Sequence, residues 1–189
     1  KFSYSDTGGP DVTLEDTKTT FNLKKIDFLN PEGKRGILTA DFNGDGRTDI
    51  LRWSAVTTSE NVLYTSNGNG SFSNGSLNLP HLLFTPDGCF YSTVLDINAD
   101  GLPDILSGAY WYENPGPNGG EWKRHQYREA GIRGEFVSDC GEWTIDVNHD
   151  GLPDVVTAGW VTNGIFWWQN PGKLGAPWTK HFITDSYDT

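Results

Sequence analysis

The sequence of 189 residues has no methionine, only two cysteines, and no apolar run near the ~20 residues that a bilayer-crossing helix needs. Lysine and arginine total 14 against 25 acidic residues, and the basic residues never gather into a run. A net charge of −11 without a basic patch argues against nucleic acid and anionic membranes as partners. The motifs G-x-S-x-G, H-E-x-x-H, the phosphate-binding P-loop and the dinucleotide-binding glycine fingerprint are all absent. No pair of carboxylates stands out as a glycosidase pair. With neither methionine nor a secretory leader, the chain is expected to be a mature or trimmed product.

What the chain does have is the nine-residue pattern D-x-N-x-D-G-x-x-D, in three copies: Asp41–Asp49, Asp96–Asp104 and Asp146–Asp154. The copies start 55 and then 50 residues apart, the mark of a repeat of about fifty residues. Positions 1, 3, 5 and 9 are Asp41, Asn43, Asp45 and Asp49 in the first copy. They are Asp96, Asn98, Asp100 and Asp104 in the second, and Asp146, Asn148, Asp150 and Asp154 in the third. Arg47, Leu102 and Leu152 stand at position 7, where a main-chain carbonyl can add a further ligand. This set offers hard oxygens and neither sulfur nor imidazole, so it suits Ca²⁺ rather than a transition metal.

Gly46, Gly101 and Gly151 fall at position 6, where a sharp turn around an ion is expected to leave no room for a side chain. Clustered carboxylates repel one another unless a cation lies between them. The competing reading is a hairpin turn rich in Asp, Asn and Gly; identical ligand positions in three copies favour calcium. Nine of the acidic residues lie in these loops, and three Ca²⁺ ions, one per loop, would bring the net charge from −11 to about −5.

Position 12, the bidentate glutamate of an EF-hand, is here Arg52, Ser107 and Thr157. The flanks are β-branched and apolar, as in Ile37–Ala40, Ser92–Leu95 and Ile50–Leu51. They predict a hairpin and not a helix pair. Loops and flanks together resemble FG-GAP/VCBS-type repeats, the calcium-loop blades of extracellular β-propellers. The likeness runs from about Ile37 to the C-terminus. It implies an all-β fold of four-stranded blades whose acidic loop joins the first two strands, and it implies the ligand roles given above.

Three blades are expected, over 37–88, 89–139 and 140–189, preceded by a partial blade or closing strand over 1–36. Blade one is read as Ile37–Asp41, Ile50–Trp53, Asn61–Ser66 and Ser71–Ser73. Blade two is read as Ser92–Asp96, Ile105–Ser107, Ala109–Asn114 and Glu121–Tyr127. Blade three is read as Trp143–Asp146, Val155–Ala158, Gly164–Asn170 and Pro177–Ile183. Within the first 36 residues, Phe21–Phe28 is the best strand candidate. Propellers close with four to eight blades, so a part of a larger ring or assembly is expected.

A second repeated segment fixes the register of the last two blades. Asn114-Pro115-Gly116 leads to Trp122 and His125, and Asn170-Pro171-Gly172 leads to Trp178 and His181 at equal intervals. Blade one lacks it. Recurrence at one blade position makes Trp122 and Trp178 wedges between sheets, and gives the two histidines a structural role. Trp53, Trp143 and Trp160 are less tied to the repeat and are the better candidates for a sugar-stacking face, although core packing ranks ahead even for them. Cys89 and Cys140 sit at nearly equivalent repeat positions, either bridged or as two buried thiols. Asn69 and Asn74 begin glycosylation sequons in a turn-rich stretch.

Calcium loops of this kind belong where calcium is plentiful, outside the cell. The leading expectation is therefore a non-catalytic, calcium-stabilised extracellular or cell-surface module that binds a glycan or a protein surface, as in lectins and adhesins. Two alternatives are a subunit of an extracellular filament or surface assembly and the propeller part of a sugar lyase or dehydratase.

Overall fold

The computed structural model describes residues 35–54, 61–79, 92–129, 139–159 and 164–185. The strand expected at Phe21–Phe28, Trp160 and Cys89 lie outside them, so neither the N-terminal partial blade nor the cysteine pairing is described.

Alternating apolar and polar residues on either side of each acidic loop form strands, and twelve of them make three four-stranded sheets. The first sheet holds β1 (Arg35–Ala40), β2 (Asp49–Ser54), β3 (Val62–Ser66) and β4 (Phe72–Ser76). The second holds β5 (Ser92–Leu95), β6 (Asp104–Ser107), β7 (Tyr110–Glu113) and β8 (Lys123–Gln126). The third holds β9 (Asp139–Ile145), β10 (Asp154–Gly159), β11 (Ile165–Gln169) and β12 (Thr179–Thr184). Each is an antiparallel meander in sequence order. No helix occurs among the described residues.

Register repeats along with sequence. Ala40 pairs with Asp49, Leu95 with Asp104 and Ile145 with Asp154, so each acidic loop closes the hairpin between the first two strands of its sheet. The first strands approach one another, β1 beside β5 and β5 beside β9, which stacks the sheets side by side as propeller blades. Two boundaries differ by more than two residues from the strands read in the sequence. Strand β4 runs on to Ser76, and β9 begins at Asp139, four residues before Trp143. A register shift in the β9–β10 pairing between Thr157 and Ala158 carries β9 through Gly141, a residue that weakens a strand signal in sequence.

Two cores fill the two junctions. Phe42, Leu51 and Trp53 of the first blade meet Ile105, Tyr112 and Trp122 of the second, with Leu79 between. The Trp122 indole meets the Phe42 ring edge-on at 6.0 Å. Gly36 lies opposite Trp53 in the β1–β2 pairing, and a Cβ there would fall 2.6 Å from the indole, so the glycine makes the room in which that ring lies flat. The second core joins Ile97, Leu106, Trp111 and Tyr127 to Val155, Trp168 and Trp178. Trp122 and Trp178 are thus wedges between sheets, as their recurrence predicts. Trp53, 3% exposed, is core, whereas Trp143 is 74% exposed.

Candidate functional site

The three acidic loops fold alike, down to individual hydrogen bonds. The carboxylate at position 1 accepts from the backbone N–H groups of positions 5 and 6 at 2.7–3.1 Å. The asparagine at position 3 accepts from the position 5 N–H and donates its amide to the position 5 carboxylate. That carboxylate in turn accepts from the position 7 N–H.

Position 9 is the anchor. Asp49, Asp104 and Asp154 are fully buried. One oxygen accepts from the N–H of position 2 (Phe42, Ile97, Val147) at 3.0–3.1 Å. The other accepts from an N–H at the end of the third strand (Ser66, Asn114, Asn170) at 2.8 Å.

Glycine at position 6 has φ of 82°, 88° and 89° in the three loops, and a Cβ there would meet nothing within 4 Å. Lack of space is the reason expected from sequence; the left-handed backbone is the reason observed. Position 4 is left-handed as well. It is Gly44 in the first loop but Ala99 (φ 59°) and His149 (φ 61°) in the others, where a side chain bears a conformation that favours glycine.

Charge collects in these turns. Burial pushes the Asp104 carboxyl up to about 7; N–H donation from Asn114 and Ile97 opposes the shift, and the carboxylates of Asp100 and Asp96 add to it. Burial raises Asp49 too, with Asp45 and Asp41 contributing. The first loop carries a cation of its own: the Arg47 guanidinium pairs with Asp45 and donates through Nε to the Ser66 carbonyl at 2.8 Å. Leu102 and Leu152 replace it in the other two loops.

Among the described residues, no three His, Cys, Asp or Glu side chains already converge as a metal cluster. The loop carboxylates turn onto backbone N–H groups instead. The donor set nevertheless fits a hard divalent cation: three carboxylates and one amide carbonyl lie within nine residues, and every oxygen that accepts one bond keeps a second lone pair. Asp41, Asn43, Asp45, Asp49 and the Arg47 carbonyl would hold such an ion in the first loop, with their counterparts in the other two.

The sequence assigns no role to Asn114 and Asn170, and the structure supplies one. Both are buried, and each amide reaches back about seventy residues to the preceding blade. Asn114 Nδ2 donates to the Phe42 carbonyl at 2.9 Å, and Asn170 Nδ2 to the Ile97 carbonyl at 2.8 Å. The same amides bond the Pro103 and Pro153 carbonyls of their own loops, while Oδ1 accepts from Gly116 and Gly172. One asparagine therefore ties its own loop, its own Pro-Gly turn and the neighbouring loop together. The equal spacing of the two Asn-Pro-Gly segments is the signal available in sequence.

Between the second and third blades lies a groove of about 480 Å³. Trp111, Arg124, His125 and Gln126 line it from the second blade, Asn98 from the second acidic loop, and Trp178 from the third blade. His125 stacks on Trp111 with centroids 4.3 Å apart and bonds Glu113 at 2.8 Å. His181 repeats the stack on Trp167 at 4.1 Å and bonds Gln169. In the first blade the corresponding β3–β4 pair is Leu63 opposite Gly75, so it carries no such aromatic stack.

Repeated meanders, an acidic loop in each first hairpin and cores between sheets define blades of the β-propeller class. Residues 41–107 match the family model of the FG-GAP-like repeat. Among solved structures, the chain is similar to a lectin from Agrocybe aegerita described for its specific recognition of non-reducing terminal N-acetylglucosamine. The TM-score is 0.59 at 21% identity, over 81% of this chain and 39% of that one. The chain thus spans about two fifths of the lectin's length, and the likeness is one of fold. No curated protein matches.

Proposed function

We propose that this chain is a calcium-stabilised, extracellular propeller module that binds glycans in the groove between its second and third blades. The groove carries the reading. A sugar presents an apolar C–H face suited to an aromatic ring and a rim of hydroxyls suited to amide and guanidinium donors. Trp178 and His125, the latter backed by the buried Trp111, supply the first kind of surface; Asn98, Arg124 and Gln126 supply the second. The fold relative makes terminal N-acetylglucosamine the first ligand to test.

Calcium enters through the acidic loops. Asn98 belongs both to the second loop and to the groove wall, so an ion held there would order one side of the glycan site. A cation would also offset the repulsion from Asp100 and Asp96 that adds to the effect of burial on Asp104.

Titration calorimetry and a glycan array on the intact chain, with calcium and with excess chelator, test both parts. Binding of N-acetylglucosamine-terminated glycans is expected, with a loss of about tenfold or more when Arg124 or Trp178 is replaced by alanine. Chelation is expected to lower both glycan affinity and melting temperature, with Mg²⁺ a poor substitute. A melting curve indifferent to chelator would remove calcium from the account; an array without a single specific glycan would remove the lectin reading.

A further inference from the structure

The third blade turns an apolar face outward, and register identifies what that face is. Leu38, Ala40 and Phe42 of the first blade pack into the junction with the second, as do Leu95 and Ile97 of the second into the junction with the third. The corresponding residues of the third blade are Trp143, Ile145 and Val147, by the common pairing of each first strand with the strand after its loop. They are 74%, 58% and 36% exposed, whereas Phe42 and Ile97 are each 2% exposed. Strand and loop positions that pack into the existing junctions are therefore open at a third place of the same kind.

We propose that this face is the docking surface for a further blade of the Asn-Pro-Gly type, whose asparagine amide donates to the Val147 carbonyl. Both junctions in the structure use that contact, from Asn114 to Phe42 and from Asn170 to Ile97, always to the position 2 carbonyl of the preceding loop. Val147 is position 2 of the third loop, and its N–H is already held by buried Asp154 as in the other loops. The occupant is specified as well. The first blade carries Ser66 where the others carry the asparagine, since Ser66, Asn114 and Asn170 supply the same N–H to position 9. A serine side chain cannot span to the neighbouring loop. A blade of the first kind, whether in this chain or in a second copy of it, therefore lacks the group that makes the contact.

The test extends the full chain at its C-terminus with a second copy of residues 139–185, and compares it with an otherwise equal extension by residues 35–76. The first extension is expected to slow amide exchange across β9 and the third loop by about tenfold or more and to shield Trp143 from iodide quenching. The second extension is expected to do neither. Asn170→Ser within the added copy should abolish most of the protection while circular dichroism reports the added strands intact. Equal protection by both extensions, or by neither, would overturn the proposal. So would shielding of Trp143 in the unextended chain, or a concentration-dependent dimer of that chain broken by Trp143→Ser, because another occupant would then hold the face.

Discussion

Between the first and second blades, Phe42, Leu51, Trp53, Tyr112 and Trp122 close on one another as an apolar core. Between the second and third, the apolar core is thinner, and beside it the Arg128 guanidinium reaches Glu142 at 2.8 Å with both side chains almost wholly buried. Glu142 also accepts from the Gly108 N–H, and Arg128 bonds the Tyr127 hydroxyl and the Gly108 carbonyl. Where Glu142 stands in the third blade, the second has Ser92, whose hydroxyl bonds locally to Ser107. The asparagine contact is common to the two junctions. What differs is the filling, and the groove lies at the junction with the polar filling. One repeat thus serves as a sealed joint in one place and as a walled cleft in the next.

The largest effect should come from breaking the polar joint. Glu142→Gln leaves the Arg128 charge buried without its counter-charge, and a loss of about 3–5 kcal/mol is expected in urea unfolding. The double change Arg128→Met with Glu142→Leu should recover most of it. If the single variant loses less than a typical surface change, the ion pair does not hold the second junction.

The sealed joint can be probed in the same way. Trp122→Ala, at 2% exposure, should cost about 3–5 kcal/mol, and Trp178→Ala at the half-open junction distinctly less. Equal losses would mean that the two joints are equally tight.

A smaller effect follows from Asp104. Its carboxyl is raised to about 7 from 3.8, so the folded chain without metal binds the proton more tightly than the unfolded chain. Stability in chelator should therefore rise as pH falls from about 8 toward about 5, and the gain should shrink in Asp104→Asn. With calcium present the same acidification should weaken the ion's hold and erase the gain. A chelated melting curve that falls on mild acidification would contradict the burial of this carboxyl.

The smallest effect concerns position 4. Ala99→Gly and His149→Gly relieve a left-handed backbone and should each stabilise by up to about 1 kcal/mol, with no counterpart available in the first loop, which already has Gly44. Thermal melts of the two variants measure it.

Much of this architecture is legible in the amino-acid sequence. The acidic loops, their place in the first hairpin and the wedge role of Trp122 and Trp178 follow from local pattern and from recurrence, because a repeat writes the same environment more than once. The contacts between blades are not legible in that way. Asn114 meets Phe42 across 72 residues, and no local periodicity records which carbonyl of one blade faces which amide of the next. Arg128 and Glu142 are silent for the same reason: each occurs once, in different blades. Trp53 ranks among the freer tryptophans by sequence because it stands outside the Asn-Pro-Gly segment. Its burial depends on Gly36 across the strand pair, a relation visible only in register.

The asparagine contact also gives the chain a direction in time. Each amide reaches toward the N-terminal neighbour, and the carbonyl it seeks belongs to a hairpin made earlier in synthesis. A ribosome delivering residues from the N-terminus therefore presents every acceptor before its donor, and a new sheet can latch onto a finished one as it emerges. Reversing the order of the sheets by circular permutation would keep every residue and invert that schedule.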